Sequence, residues 1–266
     1  MIRNLRLVVA INFFLLHFCL ADPLIVAHRG SSQQAPENTL PAFRLAWEQG
    51  ADAIEGDFLI TKDGKIVCIH DVSTKRLTDK NLDVSKSNFE ELRGLDVGAW
   101  KHEKFKGTKI PTISEVFATI PKGKKIFLEV KCGPEIVTPL IREIRRSGLA
   151  SDQVKLICFN EEVIKVFKQK MPKYQAYWLS SFKRDGEGIW KPSAKSVIAT
   201  LKNIKADGLD SHRSIPNEIS AAILDAGFEW HAWTINDVIT AKQLAKRGIY
   251  SITTDCPESL MQVFTK

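Results

Sequence analysis

Cysteine is scarce in this sequence, and the few cysteines lack the spacing of a metal site. The 266 residues include 5 Cys, 15 Gly and 11 Pro, so collagen-like, low-complexity and disulfide-scaffold proteins are excluded. No Cys-x-x-Cys pair occurs, and no repeat at solenoid spacing is present. A Gly-rich turn of the nucleotide-binding kind is also missing. An ordinary globular protein of one or two domains remains.

The most prominent apolar run is too short to span a bilayer and lies near the N-terminus. Arg3 and Arg6 precede the apolar residues 7–20, which stop at Ala21. A membrane span needs about twenty apolar residues, whereas this pattern is typical of a secretory signal. We expect a cleaved signal peptide at residues 1–21, with a lipid-anchored Cys19 as a less favoured alternative. The domain over residues 22–266 would then be exported, periplasmic or secreted, without stable membrane insertion.

Positive charge is in moderate excess. Removal of residues 1–21 takes away two Arg and no acidic residue, so the formal net charge falls from +7 to +5. The Lys residues are scattered in pairs such as Lys124 and Lys125, without the interleaved aromatic residues of single-strand binders. We therefore expect solvated faces and no nucleic-acid partner.

The four cysteines of the exported domain could be thiols or disulfides, because export permits disulfide formation. Three of them lie in apolar, strand-like runs, which favours buried free thiols. The sequence does not choose among the possible pairings of Cys68, Cys132, Cys158 and Cys256.

Strand-like and helix-like segments alternate along the rest of the chain. Eight segments have strand patterns, at residues 24–28, 53–59, 125–130, 154–159, 174–179, 206–209, 229–234 and 250–254. Helical patterns that stop at glycine lie between them, at residues 39–49, 135–147, 217–226 and 237–247. The repeated order predicts right-handed βα units. Eight such units favour a closed (β/α)8 TIM barrel over an open α/β sheet.

One segment interrupts this alternation after the second strand. Residues 62–65 predict a hairpin turn, and residues 66–70 a short return strand. Residues 71–112 then form a long insertion, with short helices predicted near residues 88–92 and 114–120. Long insertions on barrels often act as lids or subdomains.

Carboxylates occur where the interior of a barrel should be apolar. Glu55 and Asp57 are two residues apart on the second strand, and Glu129 and Lys131 repeat this spacing on the third. Buried carboxylates are costly unless they are protonated, paired or bound to a cation. These three predict a site for one divalent cation, Ca²⁺ or Mg²⁺. The alternative is an ion-pair network with Lys131 and Arg29.

Histidine and arginine follow the strands at the end where barrel active sites form. His28 and Arg29 follow the first strand, and His70 ends the return strand. Two histidines beside a cation suit acid and base catalysis, and Arg29 suits a phosphate. Glu37 and Asn38 precede a helix, so they either cap it or support Arg29 and contact a ligand.

Other candidates are more ambiguous. Trp233 ends the seventh strand and either walls the pocket or belongs to the core. His102, His212 and His231 lack a comparable context, so we expect them at the surface or in loops.

Taken together, these motifs resemble the glycerophosphodiester phosphodiesterases. The matching segments occur in the family's order and are His28-Arg29-Gly30, Pro36-Glu37-Asn38-Thr39, Ile54-Glu55-Gly56-Asp57, Thr61-Lys62-Asp63-Gly64, His70-Asp71, Leu128-Glu129-Val130-Lys131, Trp233-Thr234-Ile235-Asn236 and Thr254-Asp255. Two positions depart from the family's usual residues, Gly56 and Cys158. The second could alter pocket polarity or substrate choice.

The resemblance implies a metal-dependent (β/α)8 barrel that hydrolyses glycerophosphodiesters to sn-glycerol 3-phosphate and an alcohol. It implies a set of roles: Glu55, Asp57 and Glu129 as cation ligands, His28 and His70 as the acid/base pair, Arg29 and Lys131 as phosphate contacts, and Trp233, Glu37 and Asn38 around the substrate. A metal-free glycosidase, a non-catalytic binding barrel and a lipase-type phosphodiesterase acting on intact lipid are the alternatives. The alcohol group, the identity of the cation, the division of roles between the histidines and the oligomeric state stay open.

Overall fold

The computed structural model describes residues 22–264, so the predicted signal peptide at residues 1–21 lies outside the described residues. Eleven strands are formed there: β1 (Leu24–Ala27), β2 (Ala53–Ile60), β3 (Ile66–Cys68), β4 (Lys125–Val130), β5 (Val154–Cys158), β6 (Gln175–Ser180), β7 (Lys183–Arg184), β8 (Trp190–Lys191), β9 (Gly208–His212), β10 (Glu229–Trp233) and β11 (Ser251–Thr254). Among these residues, no helix is long and apolar enough to cross a bilayer.

Helices follow most of the barrel strands. The α-helices of residues 22–264 are α1 (Leu40–Glu48), α2 (Phe89–Arg93), α3 (Ile113–Phe117), α4 (Val137–Ser147), α5 (Glu161–Lys170), α6 (Ala194–Ile204), α7 (Asn217–Asp225), α8 (Val238–Ala245) and α9 (Pro257–Phe264). The residues predicted to begin α1 and to end α4 mark these helix boundaries in the structure. Thr39 caps α1 with its side chain, and Gly148 ends α4 in the left-handed region at φ 71°.

Eight parallel strand pairings close a barrel. Parallel neighbours run in the order β1, β2, β4, β5, β6, β9, β10, β11 and back to β1. The closure pairs Leu24 to Ala27 with Ser251 to Thr254. The predicted (β/α)8 barrel with a small insertion after its second strand is therefore confirmed, whereas the short hairpin β7–β8 was not anticipated.

Strand alternation divides the barrel into an outer and an inner layer. Outward side chains such as Ile54, Phe58 and Leu128 pack under the helices, while Phe127, Tyr177 and Leu179 belong to a separate interior cluster. A Cβ at Gly56 would lie 3.2 Å from Cζ of Phe43. Glycine therefore lets α1 approach β2 closely, and this departure from the family pattern faces away from the barrel interior.

The insertion packs against the hairpin that extends β2. β3 pairs antiparallel with Phe58 to Ile60, and a second apolar cluster joins this hairpin to the insertion through Val67, Leu77 and Leu92. The insertion is thus anchored above one side of the barrel, beside the strand that carries Glu55 and Asp57.

The prediction that His231 lies at the surface or in a loop is wrong. Its side chain is fully buried inside the barrel, 4.0 Å from the Tyr177 ring, and its Nδ1 lies 2.7 Å from Oγ of Ser251. Burial lowers the pKa of His231. Its place is consistent with strand alternation, since Glu229, His231 and Trp233 share one face of β10. His212 is half-buried at the end of β9, while His102 is exposed.

The four described cysteines, Cys68, Cys132, Cys158 and Cys256, are free thiols in the structure. Cys158 Sγ lies 3.1 Å from the Val130 carbonyl oxygen. Burial first, and the nearby charge of Glu129 to a smaller extent, raise its pKa to about 12. This thiol is accordingly neutral and unreactive.

Candidate active site

Three carboxylates meet at the carboxyl end of the barrel interior. Glu55 and Asp57 point inward from β2, and Glu129 does so from β4, where it pairs in register with Asp57. One oxygen from each of the three lies within 4.8 Å of the others, and all three residues are buried. The sequence prediction that these residues converge is thus reproduced by the geometry.

A strained turn after β1 brings Arg29 to this cluster. Arg29 has φ 55°, a left-handed conformation that is uncommon outside glycine. Its backbone N–H donates to Oε2 of Glu55 at 2.9 Å. Its guanidinium Nε lies 3.1 Å from Oδ2 of Asp57, and its Nη1 donates to Glu37 at 3.0 Å.

The carboxylates carry more negative charge than their neighbours balance. Burial, followed by repulsion from Asp57 and Glu129, raises the pKa of Glu55 well above its usual range. Burial and the charge of Asp57 raise the pKa of Glu129 to about 7, despite the opposing effect of Lys131. Burial opposes ionisation of Asp57 too, but Arg29, His70 and Lys131 outweigh it and lower its pKa.

Two buried carboxylate oxygens of the cluster accept no hydrogen bond within the described residues. Within residues 22–264, no group donates a hydrogen bond to Oε1 of Glu55 or to Oδ1 of Asp57, and both atoms are fully buried. Lys131 Nζ lies 3.6 Å from that Asp57 oxygen, beyond a hydrogen bond. Buried carboxylate oxygens are costly without a partner, so the three carboxylates fit a divalent cation with oxygen ligands.

Two histidines flank the cluster, and each has a carboxylate on its Nδ1. His28 Nδ1 lies 2.7 Å from Oδ1 of Asp255, which also accepts from Ser32 at 3.0 Å. His70 Nδ1 lies 2.6 Å from Oδ1 of Asp71. A carboxylate on Nδ1 fixes the ring and leaves Nε2 as the working nitrogen.

Lys131 connects His70 with the carboxylate cluster. Its Nζ lies 2.7 Å from Oε1 of Glu129 and 3.3 Å from Nε2 of His70. Burial opposes its protonation, but Glu129 and Asp57 outweigh burial and raise its pKa. Lys131 therefore lies between Glu129 and the His70 ring, within hydrogen-bond distance of both.

The chain is similar in sequence and in structure to known phosphodiesterases. Residues 28–259 match the sequence model of the Glycerophosphoryl diester phosphodiesterase family. A glycerophosphodiester phosphodiesterase of Caldanaerobacter subterraneus is 33% identical over 91% of this chain and 98% of its own length. A solved phosphodiesterase of Oleispira antarctica, in complex with its product sn-glycerol-3-phosphate, superposes with a TM-score of 0.83 at 29% identity, over 92% of this chain and 97% of that one.

The chain belongs to the glycerophosphoryl diester phosphodiesterase family. It is therefore an enzyme of the phosphoric diester hydrolase class, as the sequence motifs predicted. The glycerophosphodiester phosphodiesterase of Bacillus subtilis is a further relative, 26% identical over 90% of this chain.

Glu37 and Asn38 support the site of this phosphodiesterase from behind. Glu37 accepts from Arg29, which is one of the two interpretations drawn from the sequence. Asn38, with φ 58°, donates to Oδ2 of Asp57 at 2.8 Å and accepts from the Asp57 backbone N–H at 3.0 Å. The NH₂ group and the carbonyl oxygen of the Asn38 side chain thus both hold Asp57. A direct contact between Asn38 and substrate stays a prediction.

Trp233 stands on the other side of the barrel mouth. Its ring contacts Phe159 edge-on, with centroids 5.8 Å apart, and lies 4.7 Å from the His212 ring. A cavity of about 260 Å³ that includes Phe159 reaches Glu129 and Lys131. A second cavity, of about 360 Å³, includes His28 and Arg29. These two cavities lie on either side of the cluster.

Sequence reasoning gave no role to three residues that complete the site. Asp255 and Asp71 were part of the matching motifs, and their position directly after a strand end and after His70 was the available signal. Arg76 lies in the insertion and carried no signal. It donates through Nε to Asp71 at 2.6 Å and through both Nη atoms to Glu37, at 2.9 and 2.7 Å.

Proposed function

We propose that this protein hydrolyses glycerophosphodiesters, the deacylated phospholipids, to sn-glycerol 3-phosphate and an alcohol, with one divalent cation. The observation that carries the proposal is the pair of carboxylate-held histidines on either side of a buried carboxylate cluster. The Oleispira relative, crystallised with sn-glycerol-3-phosphate, supports the substrate class. Either water would attack phosphorus directly, or the substrate's own glycerol 2-hydroxyl would attack first and water would then open the resulting cyclic phosphate to sn-glycerol 3-phosphate.

The phosphate-binding groups would be Arg29 and Lys131. Both cations stay charged next to the buried carboxylates, since the neighbouring carboxylates raise their pKa values against the opposing effect of burial. A phosphodiester is an anion that repels nucleophiles, so fixed positive charge is needed where negative charge builds up in the transition state. When bound to Glu55, Asp57 and Glu129, a divalent cation supplies further charge neutralisation and orients the phosphate.

The proton transfers would be divided between the histidines. His70 Nε2 lies 3.3 Å from the Lys131 ammonium group and can accept from it in the tautomer that carries its proton on Nδ1, which supports His70 as the base that takes the proton of the attacking hydroxyl. Its Nδ1 proton is held by Asp71. His28, held by Asp255, would give the proton on its Nε2 to the oxygen of the departing alcohol. Each transfer contributes about 10²- to 10⁴-fold.

The first test is release of sn-glycerol 3-phosphate from glycerophosphocholine before and after chelation, with Ca²⁺ and Mg²⁺ added back separately. We expect chelation to stop turnover and one of the two cations to restore it. Retention of full activity in the chelator would refute the cation site. A folded, cation-loaded protein that turns over no glycerophosphodiester would refute the proposed reaction and favour a binding protein or an intact-lipid substrate.

The second test separates the acid from the base. The His28→Ala and His70→Ala variants are compared on glycerophosphocholine and on the p-nitrophenyl ester of glycerol phosphate, whose leaving group needs no proton. We expect His28→Ala to lose about 10²- to 10⁴-fold on the choline ester and to recover most of this on the nitrophenyl ester. His70→Ala should be equally impaired on both esters. The opposite pattern would exchange the two roles.

We also infer export of the domain from the pattern of residues 1–21. Expression of the full chain in a host with the matching secretory pathway should yield a protein beginning at Asp22. An intact N-terminus in the recovered protein would refute this cleavage.

A further inference from the structure

Exposed apolar side chains are concentrated at one end of the barrel. Six large apolar residues are exposed within residues 22–264. Five of them lie at the mouth of the barrel: Phe159, Ile189 and Ile239 follow the carboxyl ends of barrel strands, Val72 is two residues from His70, and Trp100 lines a cavity with His28. We call these five the mouth face. The sixth, Tyr250, directly precedes β11 and so lies at the opposite end.

The mouth face surrounds the active site. Trp100 lines the cavity that includes His28 and Asp255, and Phe159 lines the cavity that includes Glu129 and Lys131. The other three members stand further out and belong to the insertion, the β7–β8 hairpin and the first turn of α8. Val72 and Trp100 stand on the insertion and the other three members on three further segments, so the face consists of separate apolar side chains near a polar centre.

Cations accompany the apolar side chains. The β7–β8 hairpin carries exposed Lys183 and Lys191, and the Arg184 guanidinium lies 5.2 Å from the Trp190 ring centroid. Ile189 projects from the same hairpin and is half exposed, at 50%. The hairpin also contains Asp185 and Glu187. The Asp185 carboxylate accepts from the backbone N–H groups of Glu187 and Ile189 through one oxygen, and its other oxygen lies 3.7 Å from Lys191 Nζ.

Another cation stands next to Trp100, a member of the mouth face. Lys101 Nζ lies 5.7 Å from the Trp100 ring centroid and donates to the backbone carbonyl of Ser32. Aromatic and aliphatic side chains interleaved with Lys and Arg are typical of surfaces that enter the interface of an anionic bilayer.

We propose that the mouth face docks on an anionic lipid bilayer, with the entrance of the active site turned toward the membrane surface. Docked in this way, the five apolar side chains enter the lipid interface, and Lys183 and Arg184 meet lipid phosphates. A protein partner fits less well, because specific protein interfaces have a contiguous apolar centre, whereas these side chains are separated by polar ones. The proposal concerns the surface alone and does not depend on which phosphodiester is hydrolysed.

The test is amide hydrogen exchange of the full chain with and without vesicles of phosphatidylcholine and phosphatidylglycerol. We expect vesicles to slow exchange in residues 183–191 and 238–241, with no change in the loop that holds Tyr250. The protection should weaken with added salt and with vesicles of phosphatidylcholine alone. Because exchange is measured loop by loop, attachment through residues 1–21 would not imitate it. Unchanged exchange at both mouth segments would overturn the proposal and leave a protein partner as the explanation of the face.

A matched set of variants tests the side chains themselves. The triple variant Val72→Ser, Ile189→Ser, Ile239→Ser should lower the apparent affinity for vesicles by about 100-fold, because three aliphatic side chains lose their transfer out of water. The control Tyr250→Ser should bind vesicles as the unmodified chain does. Equal binding by the triple variant would overturn the proposal. Hydrolysis of soluble glycerophosphocholine is measured in parallel, so that loss of the proposed reaction in the unmodified chain is seen separately from loss of docking.

Discussion

At the scale of single residues, the site holds carboxyl groups of very different acidity. Burial opposes the ionisation of Asp255, yet hydrogen bonds with His28, Asn236 and Ser32 lower its pKa to about 2. Glu129 has few compensating donors, and its pKa is raised to about 7. Environment, rather than residue type, therefore keeps Asp255 ionised beside a histidine and leaves Glu129 partly protonated near neutral pH, where it is a proposed cation ligand.

Asp255→Asn should lower kcat by about 10²- to 10⁴-fold and leave KM for glycerophosphocholine nearly unchanged. The asparagine keeps the size of the side chain but removes the charge that holds the proton on His28 Nδ1. Steady-state kinetics of the purified variant provide the measurement. A rise in KM without loss of kcat would show that Asp255 serves binding instead.

Cation affinity should increase with pH, including across the pKa of Glu129, about 7. Below that pH the carboxylate cluster retains protons, which the cation must displace. Titration calorimetry from about pH 5 to about pH 8, in two buffers of different ionisation enthalpy, measures both the affinity and the protons released. Affinity that is independent of pH, with no proton release, would contradict the raised pKa values.

At the scale of elements, the site depends on a strand that extends beyond the barrel. Ala53 and Ile54 of β2 pair with β1, Ala53 to Phe58 pair with β4, and the last three residues pair with β3. The β2–β3 hairpin returns the chain to the cluster, where the Ile69 backbone N–H donates to the Asp57 carbonyl. His70 is placed by this return and by the insertion that follows.

Arg76 is a positioning residue that joins both sides of the site. One guanidinium group holds Asp71, the partner of His70, and Glu37, the partner of Arg29. We expect Arg76→Lys to lower kcat about tenfold, since an ammonium group cannot reproduce this forked contact. The neighbouring Lys75→Met, at an exposed position, is the control and should keep normal kinetics. An altered pH–rate profile in Arg76→Lys alone would distinguish positioning of His70 from a loss of stability.

At the scale of the whole molecule, the ionised form of the buried Glu55 lowers the stability of the fold. The pKa of Glu55 is raised in the folded state, so its contribution to stability declines as pH rises above the ordinary pKa of a glutamate. Without cation and at about pH 8, we expect Glu55→Gln to raise Tm by about 2–4 °C, which corresponds to about 1 kcal/mol for a domain of this size. The glutamine oxygen can still accept from the Arg29 N–H.

Glu37→Gln is the matched opposite case. Burial opposes ionisation of Glu37, but Arg76 and Arg29 outweigh it and lower its pKa. Its ionised form therefore stabilises the fold at neutral pH, and we expect this variant to lower Tm. Thermal unfolding of both variants in a chelator provides the comparison. A fall in Tm for both would show that the buried cluster is not a source of instability.

The sequence was sufficient for the barrel because each βα unit carries local signals, such as the capping Thr39 and the left-handed Gly148. The inward carboxylates were also visible, since strand alternation places Glu55 and Asp57 on one face. The role of Arg76 was not visible, because the insertion has no periodic pattern and Glu37, which Arg76 contacts, lies 39 residues away in the chain. His231 was misjudged because a buried polar residue looks exposed until its partners, Ser251 and Tyr177, are known.

The bond between His28 and Asp255 joins residues 227 positions apart, and this span sets the order in which the site is completed during synthesis. The three candidate cation ligands, residues 55 to 129, are all made in the first half of the chain. The carboxylate that orients His28 follows the last barrel strand, which must pair with the first. All three candidate cation ligands are therefore present in the growing chain well before Asp255 is made, and His28 gains its orienting carboxylate only once the barrel has closed.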